Sequence, residues 1–320
     1  WRKLWLRRGE PTQRETQVYV ALQETPIPVP RVYGALDAPA AVLSERARGE
    51  TWFSRIRDPE EQRSVAQDFM RHLATLHRID PATLEIPALG PVVSAPDCVQ
   101  RELDAWRSVY AIHGEHRDPL IEFTFDWLER NIPDYDGPIA LVQGDTGPGN
   151  FLYEQGRVSA ILDWELAHWS DPMDDIAWLS LRSVQEPFTH LPDRLAEYTR
   201  HSGTRIDEAR VRYYRVFAEL RIVIMGHARD AERSTEGEIG NGLIYGALHH
   251  RLLVETLADV MGVALETPEL PRPEPTDRDW LYGAMLEQIR EVIVPGSPDA
   301  FVAARAKGWL LYTSPSPRDS

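Results

Sequence analysis

The 320-residue chain is longer than one average domain, and its 42% hydrophobic content supplies enough apolar surface for a sizeable core. A formal charge of −15 disfavours binding to nucleic acid or to an anionic membrane, because both need basic protein surface. The single cysteine, Cys98, excludes an internal disulfide, and no apolar run reaches the ~18 residues of a membrane span. We therefore expect a cytoplasmic protein that contacts neither nucleic acid nor membrane, and the sequence leaves its oligomeric state open.

The first predicted region is small and rich in β-structure. The segment LWLRR alternates as a strand does, and a short helix is predicted after Thr12. Two short β runs, PVPRVYGAL and AAVLSER, flank the turn-like DAPA and predict a strand pair. Because the chain opens on Trp1, already inside the alternating segment WRKLWLRR, we expect residues 1–48 to form an incomplete small lobe. A linker is expected near residues 46–50.

Residues 49–309 are expected to form a larger, mostly helical lobe. Apolar residues at helical spacing after Asp58-Pro59 predict its first helix. β character returns at GPIALV and in NFLYEQGRVSAILDW, which predicts a hairpin. The predicted fold class is therefore α+β with two lobes, and the Ser/Pro-rich tail, residues 310–320, is expected to be non-native. Further helices are predicted near residues 97–113, 118–131, 172–184, 191–201, 207–231, 237–263, 278–294 and 297–308.

The segment QGDTGPGN, residues 143–150, places the carboxylate of Asp145 five residues before the amide of Asn150. Its glycines and proline permit a tight turn. Thirteen residues beyond Asn150, after the predicted hairpin, come Asp163 and then Glu165. Phosphoryl transfer uses one carboxylate to orient the attacking hydroxyl, and an amide and a second carboxylate to hold Mg²⁺ on the ATP phosphates. The order and spacing of these two motifs predict a kinase-type site.

The stretch LVQGDTGPGNFLYEQGRVSAILDWELAHWSDPMDDIAWL resembles the catalytic segment of the aminoglycoside phosphotransferase family, small-molecule kinases with a protein-kinase-like fold. The resemblance implies that Asp145 is the catalytic base. It implies that Asn150 and Asp163 are Mg²⁺ ligands, with Glu165 as an accessory ligand. Gln143 stands where the family usually has a histidine.

Two further positions match acidic residues that are structural in the family, Asp171 and Asp175. Because Asp171-Pro172 is a typical helix start, helix capping is the simpler interpretation of both carboxylates.

The resemblance extends into the small lobe. RETQVYVALQETPIPVPRVYG is similar to the family's helix-to-strand segment, which implies an ion pair between Glu15 and a basic residue on LWLRR. By register that residue is Arg7, with Lys3 on the same strand face. Thr12-x-x-Glu15 also fits a capping box, so the two interpretations of Glu15 stay open.

VLSERARGE resembles the family's hinge segment. The resemblance implies that backbone groups of the hinge meet adenine. The implied residues are Glu45, Arg46 and Ala47. No glycine-rich phosphate-covering loop precedes LWLRR, and we expect it to have been lost with the missing N-terminal strands.

The predicted function is an ATP- and magnesium-dependent transferase that phosphorylates a hydroxyl group of an unidentified small molecule. A nucleotide-binding pseudokinase, or an inactive fragment of such a kinase, is the alternative, and Gln143 and Arg7 favour it. A metal-dependent hydrolase would use four acidic residues after the hairpin: Asp163, Glu165, Asp171 and Asp175. That interpretation leaves the loop before the hairpin unexplained.

Overall fold

The computed structural model describes most of the chain. The described residues are 10–37, 40–113, 116–231, 239–266, 269, 276–299, 302–303, 306–307 and 310. The predicted LWLRR strand, with Lys3 and Arg7, lies outside the described residues, as does most of the last predicted helix.

The first described elements are a helix and a strand pair. Helix α1 spans Glu10–Leu22, and strands β1 (Val32–Asp37) and β2 (Ala40–Ser44) pair antiparallel. The predicted helix and strand pair are therefore confirmed. The helix begins at Glu10, so Thr12 lies inside it, and the Thr12 carbonyl accepts a hydrogen bond from the Thr16 hydroxyl at 2.6 Å. A capping box needs Thr12 ahead of the helix, so that interpretation of Glu15 is wrong.

Helices dominate the chain after residue 50. Several begin where a side chain caps the first turn and proline fills an early position, as Asp58-Pro59 predicts. The Asp58 carboxylate accepts a hydrogen bond from the Glu60 amide at 3.0 Å. The helices are α2 (Pro59–Leu76), α3 (Ala95–Tyr110), α4 (Pro119–Arg130), α5 (Met173–Gln185), α6 (Leu191–Ser202), α7 (Glu208–Ala231), α8 (Ile239–Met261) and α9 (Asp279–Gln288), the last continuing as a π-helical turn, Ile289–Ile293.

Four short strands interrupt the helices. Strand β3 (Ala140–Val142) precedes the QGDTGPGN loop, and β4 (Phe151–Glu154) and β5 (Arg157–Ile161) form the predicted hairpin. Strand β6 (His168–Ser170) pairs antiparallel with β3 and was not predicted, because three residues are too short for a periodic signal. This pairing returns the chain beyond Asp163 to the strand that leads into the loop.

A cluster of four phenylalanines forms the core beneath the hairpin. Phe69 of α2 lies 4.7 Å from Phe151 of β4, and Phe53 lies 5.0 Å from Phe188, measured between ring centroids. All four rings are at most 1% exposed, and burial of each contributes about 1.5–3 kcal/mol. The hairpin therefore rests on a rigid support.

Two segments contact the same hairpin, one in the small β-rich part and one directly after it. Glu50 and Tyr153 exchange backbone hydrogen bonds of 2.9 and 3.0 Å, and the Ile161 amide donates to the Pro28 carbonyl at 2.7 Å. At Gly49, φ is +125°, and an added Cβ would lie 2.7 Å from the Tyr153 carbonyl oxygen. The chain entering the larger part is therefore held against the strand that follows the predicted catalytic loop.

None of the helices in the described part of the chain combines the length and apolar character needed to cross a bilayer.

Candidate active site

A buried carboxylate on α5 holds the entrance of the QGDTGPGN loop. Asp175 accepts hydrogen bonds from the backbone amides of Gln143 and Gly144, both at 2.9 Å, and from the Thr146 hydroxyl. Its side chain is fully buried. The helix-capping interpretation of Asp175 is therefore wrong, because this carboxylate caps the loop instead of its own helix.

The unexpected Gln143 connects the two predicted motifs. Its amide nitrogen donates a 2.7 Å hydrogen bond to the carbonyl of Leu162, the residue before Asp163. His77 of α2 lies beside Asp175. Its Nε2 is 3.0 Å from the Asp175 carboxylate, and its Nδ1 is 2.7 Å from the Tyr198 hydroxyl. A neutral glutamine thus ties the loop entrance to the Asp163 segment while a histidine from α2 supports Asp175.

The three glycines of the loop each allow a close approach that a side chain would block. Gly144 has φ of +80°, and an added Cβ would lie 2.3 Å from the Leu166 carbonyl oxygen. Gly147 and Gly149 have φ of +138° and +96°, and added Cβ atoms would lie 3.2 Å from atoms of the Arg182 side chain. The loop is therefore pressed between the segment after Asp163 and one side of α5.

The carboxylate of Asp145 is held through one oxygen. Its Oδ1 accepts a 2.6 Å hydrogen bond from the indole Nε1 of Trp178, and bonds of 3.0 and 2.6 Å from Nε and Nη2 of Arg182. Oδ2 accepts no hydrogen bond from the described residues, and the side chain is 21% exposed. Asp145 therefore presents one fixed and one available oxygen.

Sequence reasoning missed Trp178 and Arg182. Both lie on α5, four residues apart, so they face the loop from the same side of the helix. The spacing was visible in the sequence, but nothing local connects α5 to the Asp145 carboxylate.

The two predicted metal ligands lie on adjoining segments. The Asn150 amide nitrogen donates to the Asp145 carbonyl at 2.7 Å, which leaves its oxygen available as a ligand. The Leu162 amide donates to the Asn150 carbonyl at 2.8 Å, so the chain enters Asp163 directly beside the loop. Asp163 has φ of +63°, an uncommon conformation for a residue other than glycine, and one that costs free energy.

These residues fit Mg²⁺. The side-chain oxygens of Asn150 and Asp163 are of the kind this hard cation prefers, and Mg²⁺ commonly takes only one or two protein carboxylates besides substrate phosphates. Within the described ranges no three histidine, cysteine or acidic side chains form a metal cluster, so the nucleotide would have to complete the coordination. Glu165 is buried, two residues beyond Asp163, and its accessory role stays a prediction.

Tyr19 links the predicted small-lobe glutamate to the metal side of the site. The Asp163 amide donates to the Tyr19 hydroxyl oxygen at 3.2 Å, and the Tyr19 hydroxyl hydrogen-bonds to Glu15, one helical turn earlier on α1. Burial raises the pKa of Tyr19 far above its usual value, and the negative charge of Glu15 raises it further. The phenol therefore stays protonated as a donor. The expected partner of Glu15, Arg7, lies outside the described residues.

The predicted hinge residues follow β2 directly. Glu45 exchanges hydrogen bonds with Arg31: its amide donates to the Arg31 carbonyl at 2.8 Å, and its carboxylate accepts from the Arg31 amide at 3.0 Å. A few residues later the Thr51 hydroxyl donates to the Gly149 carbonyl at 3.3 Å. Arg46 and Ala47 thus lie on the connection between the strand pair and the loop, and their adenine contacts stay a prediction.

Two more buried carboxylates stabilise the C-terminal side of the site. Asp171 accepts from the Met173 amide at 3.0 Å, as a capping residue does, and from Arg210 at 2.6 Å. Asp174 accepts from His168 at 2.9 Å and from Arg221 at 3.0 Å. Because the oxygens of Asp171 and Asp175 have protein partners, they do not fit the metal set of the hydrolase alternative.

Burial and ion pairing compete at Asp174 and His168. Burial raises the pKa of Asp174, but the Arg221 guanidinium and His168 outweigh it and hold that pKa well below its usual value. Burial lowers the pKa of His168, but Glu102 and Asp174 outweigh it and raise the pKa above its usual value. The pair therefore favours the charged form of both side chains.

Solved structures show that this fold is protein-kinase-like. A candidate aminoglycoside phosphotransferase from Ralstonia eutropha aligns with a TM-score of 0.62 at 20% identity, over 80% of this chain and 85% of its own. The choline kinase LicA from Streptococcus pneumoniae aligns with a TM-score of 0.57 at 19% identity, over 78% of this chain and 80% of its own. The two-lobed α+β prediction is confirmed.

The family to which the chain belongs follows from a match to a family model. The model of the phosphotransferase enzyme family (APH) matches residues 3–217, so the chain belongs to this family. The predicted membership of a phosphotransferase family is confirmed.

Curated relatives are much longer than the segment they share with this chain. Acyl-CoA dehydrogenase family member 11 from Rattus norvegicus is 32% identical over 125 residues, covering 38% of this chain and 16% of the relative. The acyl-CoA dehydrogenase IBR3 from Arabidopsis thaliana is 27% identical over 291 residues, covering 76% of this chain and 35% of the relative. The chain thus spans about a sixth to a third of these relatives.

Proposed function

We propose that the chain transfers the γ-phosphoryl group of ATP to a hydroxyl group of a small molecule, with Asp145 as the base. One observation carries the proposal: Asp145 offers an available carboxylate oxygen directly beside Asn150 and the segment that carries Asp163. A solved structure of the same fold supports ATP as the phosphoryl donor, since a mutant aminoglycoside phosphotransferase was crystallised with ADP and hygromycin B (TM-score 0.55, 18% identity, over 78% of this chain and 82% of its own).

In the proposed reaction the acceptor hydroxyl donates its hydrogen bond to Oδ2 of Asp145. As the acceptor oxygen bonds to the γ-phosphorus, the bond from that phosphorus to the β,γ-bridging oxygen breaks and ADP leaves. The hydroxyl proton passes to Oδ2. Asn150 and Asp163 would hold Mg²⁺, which neutralises phosphate charge when bound, with Glu165 as an accessory ligand.

The remaining predicted residues serve the nucleotide. Arg7 and Glu15 would orient the α- and β-phosphates, and backbone groups of Glu45, Arg46 and Ala47 would meet adenine. Tyr19 adds a contact that the sequence did not predict, since it holds the Asp163 backbone from the Glu15 side.

The departure at Gln143 does not favour the pseudokinase alternative. Its amide makes the 2.7 Å bond that joins the loop to the Asp163 segment, so the loop geometry is kept without a histidine. We therefore propose phosphoryl transfer, and nucleotide binding without transfer is the alternative that the experiment below tests.

The acceptor is an alcohol whose identity the site does not define. Relatives and neighbours are named for choline, for aminoglycosides and for acyl-CoA, so a test panel should contain choline, hygromycin B and hydroxyacyl-CoA thioesters. The chain is incubated with γ-³²P-labelled ATP and Mg²⁺ beside each compound. We expect labelled product from at least one hydroxyl compound. Magnesium-dependent ATP binding without labelled product or ADP release from any alcohol would favour the pseudokinase.

The metal assignment has its own measurement. Calorimetric titration with ATP, with and without Mg²⁺, is performed on the wild type and on Asn150→Ala. Loss of the magnesium-dependent part of the affinity in Asn150→Ala supports the assignment. The matched control is Asn131→Ala, because the Asn131 amide also donates to a backbone carbonyl at 2.7 Å but lies at the end of α4. Equal magnesium dependence in both variants would contradict the assignment.

A further inference from the structure

The two donors on Asp145 form an unusually complete clamp around one oxygen atom. Three N–H groups, the Trp178 indole and two of the Arg182 guanidinium, point at Oδ1 within 2.6–3.0 Å. The third guanidinium nitrogen, Nη1, donates to the Pro148 carbonyl at 3.0 Å. Arg182 is thereby anchored to the loop at both ends of its planar group, and it can hold Asp145 relative to Pro148.

The packing around the clamp leaves it little freedom. Trp178 is 2% exposed, and its ring lies 5.9 Å below the Arg221 guanidinium. Added Cβ atoms at Gly147 and Gly149 would meet Arg182 at 3.2 Å, so the loop backbone lies directly on this side chain. Both donors therefore come from one buried helix that also carries the loop anchor Asp175.

The three donors on Oδ1 fix the position and orientation of the Asp145 carboxylate. Phosphoryl transfer through a loose transition state asks little of the base and much of the geometry, because the acceptor oxygen must lie in line with the leaving group. A fixed Oδ1 directs Oδ2 to one place.

We infer that Trp178 and Arg182 are positioning residues that fix the orientation of Asp145 so that Oδ2 receives the acceptor hydroxyl. The predicted effect on turnover rests on the proposed function, but the hydrogen bonds from Trp178 and Arg182 to Asp145 do not depend on it. Removing either donor should lower kcat and leave the KM for ATP nearly unchanged, because both residues donate their hydrogen bonds to Asp145 and Pro148 and not to the residues proposed to hold the nucleotide.

The kinetic test uses matched pairs of variants. Arg182→Ala should lower kcat about 100-fold, the loss typical of a reacting group misplaced by about 1 Å, and added guanidinium should restore part of it. Arg107→Ala is the control, because Arg107 makes a similar fork to Glu129, with bonds of 3.2 and 2.6 Å, away from the loop. Arg182→Lys keeps the charge without the fork and should recover little.

The indole has its own control. Trp178→Phe should lower kcat with ATP KM unchanged, whereas Trp169→Phe should not, although Trp169 is also buried and donates from Nε1 to the Gly90 carbonyl at 3.0 Å. An Arg182→Ala enzyme as active as the wild type, or more active, would overturn the inference.

A stability measurement decides the clamp even if the wild type transfers no phosphate. Urea denaturation is compared for Asp145→Ala, Arg182→Ala and the double variant. The clamp predicts that the double variant loses less stability than the sum of the two single losses, because either single substitution already removes the hydrogen bonds between Asp145 and Arg182. Additive losses would overturn the clamp. The double variant of Asp145→Ala with Arg107→Ala should show additive losses.

Discussion

Replacing Asp175 with alanine removes the carboxylate that holds the catalytic loop. Four donors lose their acceptor: the amides of Gln143 and Gly144, the Thr146 hydroxyl and the ring of His77. The hydroxyl can rotate and the imidazole can change tautomer, but the two buried backbone N–H groups cannot find another partner. Each unpaired N–H costs about 1–3 kcal/mol, so Asp175→Ala should lower the free energy of unfolding by about 4 kcal/mol.

Urea denaturation followed by tryptophan fluorescence measures this loss, since several tryptophans are buried close to the loop. The corresponding fall in Tm is roughly 6 °C for a chain of this size. The matched control is Asp126→Ala, whose carboxylate is 58% exposed and lies 3.7 Å from Arg130. That pair should contribute no more than about 1 kcal/mol. An Asp175→Ala variant that loses no more stability than the control would refute the reasoning.

The remaining predictions concern the loop backbone and the buried ion pairs. Gly147→Ala should destabilise the fold by about 1–3 kcal/mol, through its φ of +138° and a 3.2 Å contact with Arg182, and by more than Gly203→Ala, where φ is +76° and nothing lies within 4 Å. Equal losses of unfolding free energy for the two variants in urea denaturation would contradict the close approach of Gly147 to Arg182. His168 has a raised pKa, so its contribution to stability is complete below about pH 6.5 and is lost as the pH rises through its folded pKa. Asp174 has a lowered pKa, so its contribution is present above about pH 4 and is lost on further acidification. Urea denaturation from pH 3 to 9 should show the free energy of unfolding falling toward both ends of this range. The variant His168→Gln should show a smaller fall at the alkaline end. An unchanged alkaline slope in that variant would contradict the assignment to His168.

The sequence predicted the features that depend on local chemistry. Asp58-Pro59 starts a helix because the cap and the proline act within one turn, and the hairpin turns where Gly156 allows it. The loop and the Asp163 motif were recognisable because their residue types and spacing are set by the reaction.

The sequence could not predict contacts that join distant segments. Asp175 was interpreted as a helix cap, and no sequence pattern singled out Trp178 or Arg182. Their partners lie some thirty or more residues earlier in the chain, and only the packing of α5 beside the loop reveals them. Tyr19 and Asp163 are farther apart still, so no periodic pattern could connect them.

The central claim is that Asp145 is the base of a phosphoryl transfer from ATP. Its most direct test compares the rate of acceptor phosphorylation by the wild type and by Asp145→Asn at saturating ATP and Mg²⁺, with ATP binding measured in parallel. We predict that the variant binds ATP normally and phosphorylates the acceptor about 10²–10⁴ times more slowly. Equal rates in the two proteins would contradict it.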